Sequence, residues 1–312
     1  MPILRLNSGP DGLSLHGSPA SARSALNAAA AGTGPIMVLV HGFKCDPGCA
    51  GCSPHATIFG RTPHPDKQDQ TQWLRHLGFG TGDRDEGLAI AFGWRARGNL
   101  WRAQRSARVA GQHLANVIRT IREKAPHRPI HAITHSMGSE VVFEALQALQ
   151  PHDMDRIIAL TGASYASRAA AAMQTPAGRS AELFNITSRE NDMFDFLFER
   201  LITPPVRGDW AMGAGVDLPN AVNVQLDCPR TLAILTRFGA HIATPRRRIC
   251  HWSSYTRPGA LRFYAHTLRD PEAVPLAALK HTLPAATTPR WSRMFALPQM
   301  PAPLRWDQKA AS

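Results

Sequence analysis

The chain has 312 residues, 44% of them apolar, and carries 35 Lys and Arg against 23 Asp and Glu for a net charge of +12. That length admits one large core or two modest domains. No run approaches the roughly 20 apolar residues that a bilayer-crossing helix needs.

The start, Met1-Pro2-Ile3-Leu4-Arg5-Leu6-Asn7, has no charged n-region leading into an apolar core. No secretory signal is therefore expected, and a cytoplasmic location is the default. The Arg residues are scattered, and few stand beside aromatics as a nucleic-acid platform requires. The surplus charge reads as a dispersed basic surface with no nucleic-acid partner; Arg246-Arg247-Arg248 is the one dense run.

Residues 19–31, rich in Ala and Ser, predict a helix. The unbroken apolar run Ile36 to Val40 predicts a buried parallel strand, ending in His41-Gly42-Phe43. Residues 44–70 lack periodicity and read as a long surface loop, and a loop of that length is usually functional or disordered. Trp73 to Phe79 suggests a short helix, Leu88 to Trp94 a strand, and 101–124 a helix with Val109, Leu114, Val117, Ile118 and Ile121 on one face. Further strands are predicted at 130–135, 156–161, 181–187 and 222–226. Helices are predicted at 138–149, 164–174, 193–201 and 257–268. Strands alternating with helices imply a mainly parallel sheet covered on both faces. One α/β domain over 1–282 is the simplest organisation, with 44–86 inserted near the site as a gating loop and 283–312 as a Pro-rich basic arm. Phe59, Trp73, Phe79 and Trp94 suit an acyl pocket, or the core that more often takes such residues.

The richest stretch is Thr134-His135-Ser136-Met137-Gly138-Ser139, between a strand and a helix. It places Ser136 on a tight elbow at the helix N-terminus, as in G-x-S-x-G, with Thr134 at the first Gly position. A serine nucleophile needs an imidazole base, a carboxylate to orient it, and N–H donors for the oxyanion. Asp192, in the loop after the strand 181–187, is the predicted acid, with Asp195 one turn on as its competitor. His251, in Cys250-His251-Trp252-Ser253-Ser254-Tyr255, is the predicted base, with His241 and His266 as competitors. The oxyanion donors are the N–H groups of Phe43 and Met137.

These segments, with Val38-Leu39-Val40-His41-Gly42-Phe43 and Asn191-Asp192, resemble the α/β-hydrolase superfamily over roughly residues 34–270, and within it a serine esterase/lipase-like branch. The resemblance implies an eight-stranded-type sheet and hydrolysis of a small acyl ester, thioester or amide through an acyl-enzyme, without a cofactor. Thr134 and the Cys-rich insertion depart from the pattern. A catalytically silent binding protein with a basic surface is the rival that Thr134 favours. The spacing Cys45-x3-Cys49-x2-Cys52 also matches the 4Fe–4S loop of radical-SAM enzymes, or a zinc site completed by His55 or His64. Free or oxidisable thiols are the simpler expectation for a cytosolic chain.

Overall fold

The computed structural model describes residues 3–60, 71–83, 85–285 and 288–295. Its strands are β1 (Ile3–Gly9), β2 (Gly12–Leu15), β3 (Ile36–Val40), β4 (Leu88–Trp94), β5 (Ile130–His135), β6 (Arg156–Leu160), β7 (Glu182–Thr187) and β8 (Ala221–Gln225). They form one sheet in the order β2-β1-β4-β3-β5-β6-β7-β8. Neighbouring strands run parallel except in the β1–β2 hairpin. The parallel strands therefore end along one edge of the sheet, where ligands of such folds bind.

The helices are α1 (Ala22–Ala30), α2 (Trp73–His76), α3 (Leu100–Lys124), α4 (Gly138–Leu146), α5 (Ala166–Met173), α6 (Pro176–Ser180), α7 (Asp192–Leu201), α8 (Pro229–Thr236), α9 (Ser253–Thr256), α10 (Ala260–Arg269) and α11 (Leu276–Thr282). The pleat divides each central strand between two cores. Ile36, Val38 and Val40 of β3 face a core shared with α1, α3, α4 and α5, while Met37 and Leu39 face one shared with α2, α8, α10 and α11. None of the helices among the described residues is long and apolar enough to cross a membrane.

One expectation changes, one open choice is decided, and one strand is added. Val109 is 48% exposed, because α3 turns its Ala103, Ala107, Ala110, Leu114, Val117, Ile118 and Ile121 stripe inward and position 109 falls off that face. Phe59, Trp73, Phe79 and Trp94 are core residues, each at most 3% exposed. The N-terminal residues form a strand, with Pro10-Asp11-Gly12 turning the hairpin and Gly12 at φ 105°.

The loop after β3 is compact where described. Ile58 and Phe59 are buried with Trp73 and Leu74, so this end of the loop is packed into the core. At the other end of the chain, Trp291 packs edge-on against Phe196 of α7, 5.6 Å between ring centres. Of the sequence-predicted features, His64 and residues 296–312 of the arm lie outside the described residues.

Candidate active site

Three adjacent strands, β3, β5 and β6, each lead into a non-glycine residue with left-handed backbone: Lys44 (φ 73°), Ser136 (φ 52°) and Thr161 (φ 41°). Such conformations cost of order 1–3 kcal/mol each and persist only where the surroundings enforce them. Their gathering at one sheet edge marks a site rather than scattered irregularity.

Ser136 sits at the apex between β5 and α4, 4% exposed. Its N–H donates to the carbonyl of Leu160, and its own carbonyl accepts from Ala163 and Ser139. Two glycines permit the elbow. A Cβ on Gly138 would stand 2.7 Å from the carbonyl oxygen of His41, so α4 could not approach β3. A Cβ on Gly42 would stand 2.8 Å from Ser136 Cβ and 2.9 Å from the His135 carbonyl oxygen. Thr134 is fully buried where the pattern has glycine. Its hydroxyl pairs with that of Ser139 at 2.8 Å. The bulk fits because Ser139 and Gly162 opposite are small. The first turn of α4 is anchored by Glu140, which accepts from Arg168 at 2.6 Å and from the Ser164 hydroxyl.

The backbone N–H groups of Phe43 and Met137 meet no acceptor among the described residues. The turn carrying Phe43 is stapled on its far side. Lys44 N–H donates to the Ala96 carbonyl at 2.9 Å, and Ala96 N–H donates back to Cys45 at 3.0 Å. His41 holds the near side. Trp94 N–H donates to His41 Nε2 at 2.9 Å, so the ring proton lies on Nδ1, which donates to the Gly42 carbonyl at 2.9 Å. Burial brings the His41 pKa down to about 4, in keeping with this neutral tautomer.

His251 is oriented from two directions. Its carbonyl accepts from the Thr161 hydroxyl at 3.1 Å and from His135 Nε2 at 3.2 Å. Its Nδ1 lies 2.6 Å from Asn191 Oδ1. Since Asn191 Nδ2 donates to Asp195 Oδ1 at 2.9 Å, the amide oxygen faces the imidazole and Nδ1–H is the donor. That leaves Nε2 as the lone-pair nitrogen, the form a general base needs. Burial holds the His251 pKa well below its usual value, with His135 adding to the effect, and burial likewise brings His135 to about 4. Phe194 stacks on the His251 ring at 4.7 Å. Ser136 Oγ has no hydrogen-bond partner among the described residues, and ligand-free catalytic contacts are often loose.

The predicted acid, Asp192, does not meet His251. Its Oδ1 lies 3.2 Å from Arg189 and its Oδ2 accepts the Trp291 N–H at 2.6 Å. Burial raises its pKa against the pull of Arg189. The residue that reaches His251 is its neighbour, Asn191, backed by Asp195. Burial pushes Asp195 up to about 7, and its Oδ2 has no hydrogen-bond partner among the described residues. The Asn-Asp pair marked the loop, but the phase of the 3₁₀ turn Arg189–Asn191 decides which of the two side chains faces the imidazole. His241 lines a separate groove with Gly259 and Arg262, and His266 lies on α10 near Gly239.

The cysteines remain thiols, and no cluster of three or more metal-ligating side chains occurs among the described residues. Cys49 and Cys52 are hydrogen-bonded to each other, which lowers the Cys49 thiol pKa, and Arg97 donates to Cys49 Sγ at 3.2 Å. Neither the zinc nor the iron–sulfur arrangement is formed by Cys45, Cys49, Cys52 and His55. His55 instead bonds Asn7 Oδ1 at 2.8 Å.

A parallel sheet with helices on both faces and a strained serine between strand and helix defines an α/β-hydrolase fold. Residues 18–163 match the family described as an alpha/beta hydrolase of unknown function, DUF900. The matched segment carries β3, β4, β5 and the Ser136 elbow, and over it the chain is similar to the α/β-hydrolases. No curated protein matches it. Among solved structures it is similar to the Pyrococcus horikoshii acylaminoacyl peptidase, at 14% identity and TM-score 0.35 over 76% of this chain and 38% of that one. It is also similar to phospholipase PlaB from Legionella pneumophila, at 11% identity and TM-score 0.27 over 52% of this chain and 41% of that one. The matched region thus spans about two fifths of each of those structures.

Proposed function

We propose that this protein is a serine hydrolase that cleaves a carboxylic ester or thioester through an acyl-enzyme. Ser136 attacks the carbonyl carbon, and His251 Nε2 takes the hydroxyl proton and returns it to the leaving group. Asn191 holds the imidazole in the Nδ1–H tautomer, with Asp195 holding Asn191 in turn. The N–H groups of Phe43 and Met137 receive the oxyanion. Water then attacks the acyl-enzyme with His251 again as base, releasing the acid and restoring Ser136. The observation that carries this reading is the backbone of Ser136, held at φ 52° beside two unbonded N–H groups.

An amide at the orienting position fits the task, because the imidazole needs an acceptor for Nδ1–H and Asn191 Oδ1 supplies it without a buried charge in contact with the ring. The test is a fluorophosphonate probe with a chain-length series of p-nitrophenyl esters. Labelling and turnover are expected in the wild type and lost in Ser136→Ala, but kept in Ser106→Ala. Folded wild-type protein that neither labels nor turns over any ester would sink the proposal.

A further inference from the structure

A second feature of the same sheet edge is a cleft of about 1010 Å³ beside the ends of β1, β3 and β4. Its lining includes Lys44, Arg95, Arg97, Arg102 and Arg105 against a single acid, Asp46. Spread over 62 positions in the chain, these cations are brought together by the strand order. Arg95 lies 3.8 Å from Asp46, and Arg97 spends one N–H on Cys49. Lys44, Arg102 and Arg105 pair with no carboxylate among the described residues. The N-terminal turn of α3, capped by Asn99, opens on the same cleft and adds its positive end.

The cleft adjoins the oxyanion turn along the chain. Lys44 follows Phe43 directly, and the Lys44–Ala96 and Ala96–Cys45 hydrogen bonds join that turn to the segment bearing Arg95 and Arg97. Two strand spacings, about 10 Å, separate the end of β5 from the end of β4. Guanidinium forks of this number suit a phosphate better than an isolated carboxylate, which one fork would satisfy.

We infer that the cleft binds a phosphate group carried by the substrate whose ester Ser136 attacks. The inference rests on the hydrolase reading for the word substrate, and its test separates the two. The first arm is calorimetric titration of inorganic pyrophosphate into Ser136→Ala protein, which needs no catalysis. Binding is expected, weakened at least about tenfold by adding Arg102→Glu and Arg105→Glu. The second arm compares kcat/KM for a monomeric acyl ester of glycerol phosphate with that for an uncharged p-nitrophenyl ester. The double charge reversal is expected to lower that ratio at least about tenfold through KM, while Arg119→Glu on the exposed face of α3 leaves it unchanged.

Pyrophosphate affinity indifferent to the charge reversal overturns the inference even if ester hydrolysis is robust. Binding that depends on these arginines in a protein without esterase activity retains the anion site and overturns only its link to hydrolysis. A ratio that responds only when the glycerol phosphate ester is presented in anionic vesicles assigns the cleft to a membrane surface, and tighter arginine-dependent capture of duplex DNA assigns it to nucleic acid. Either result overturns the substrate-borne phosphate.

Discussion

The two flanks of Ser136 are built on opposite physics. Toward β7 and β8, Asn191, Asp195, Asp192 and Arg189 are each at most 3% exposed and hold one another through short contacts, with the His251 imidazole seated on them. Burial shifts the His251 and Asp195 pKa values in opposite directions. Toward β4 and β1, the cations are exposed around an open cleft and most have no ionic partner. A base must be fixed before the reaction, and desolvation by surrounding side chains is what keeps its lone pair free. On the proposed reading, cations that recognise a ligand stay hydrated until it arrives, since an unpaired buried charge would destabilise the site. One sheet edge accommodates both because the elbow stands between them.

The largest expected effect tests the buried flank. Ser136→Ala and His251→Ala should each lower kcat by about 10⁴-fold or more, and the double variant should be no worse than the singles. Additive losses in ester turnover would mean the two do not act as a unit. Next, Asn191→Ala should lower kcat by about 10²–10³-fold, whereas Asp192→Asn should cost less than about tenfold and mainly lower Tm. The reverse ranking would return the orienting role to Asp192.

Gly42→Ala tests the seam between the flanks. A Cβ against Ser136 should cost about 1–3 kcal/mol in denaturant unfolding and move the oxyanion turn, lowering kcat by about tenfold. A smaller effect belongs to the open flank. Raising salt from about 50 to 300 mM should lower kcat/KM for a phosphorylated ester several-fold but not for a neutral one, because exposed charges are screened.

The smallest effect is a pH dependence of stability. Asp195 keeps its proton in the folded protein up to about 7, whereas an unfolded aspartate releases it near 4. Between those values the folded state binds the extra proton, so this group makes stability fall as pH rises. Asp195→Asn cannot titrate, so its Tm relative to wild type should be higher at pH 8 than at pH 5. A difference that is flat with pH would place the Asp195 carboxyl in contact with solvent. His251, held low by burial, acts at the other end, removing stability as pH falls below about 6.5.

The central strands β3 to β7 were legible because a strand buried on both faces is a continuous apolar run. The strand at Ile3–Gly9 was not, because Leu4, Leu6 and Ser8 alternate with half-exposed residues over too short a stretch. Helix α8 was missed, although Pro229 at its first turn marks its start. At the candidate site, the elbow at Ser136 and Met137 and the turn at Phe43 were legible because strand, turn and glycine are neighbours in sequence. Asn191 could not be separated from Asp192, since adjacent residues point apart in a turn. His251, the partner that Asn191 meets, lies 60 positions away.

The sequence by itself determined the alternation of strands and helices and the elbow at Ser136, because both depend on local periodicity and on backbone freedom at Gly42 and Gly138. Tertiary structure decided three further things: that Thr134 fits against Ser139 and Gly162, that Asn191 rather than Asp192 faces His251, and that scattered basic residues converge on one cleft. The reason is common to all three. Each is set by strand order and packing between distant segments, and neither leaves a periodic trace in the chain.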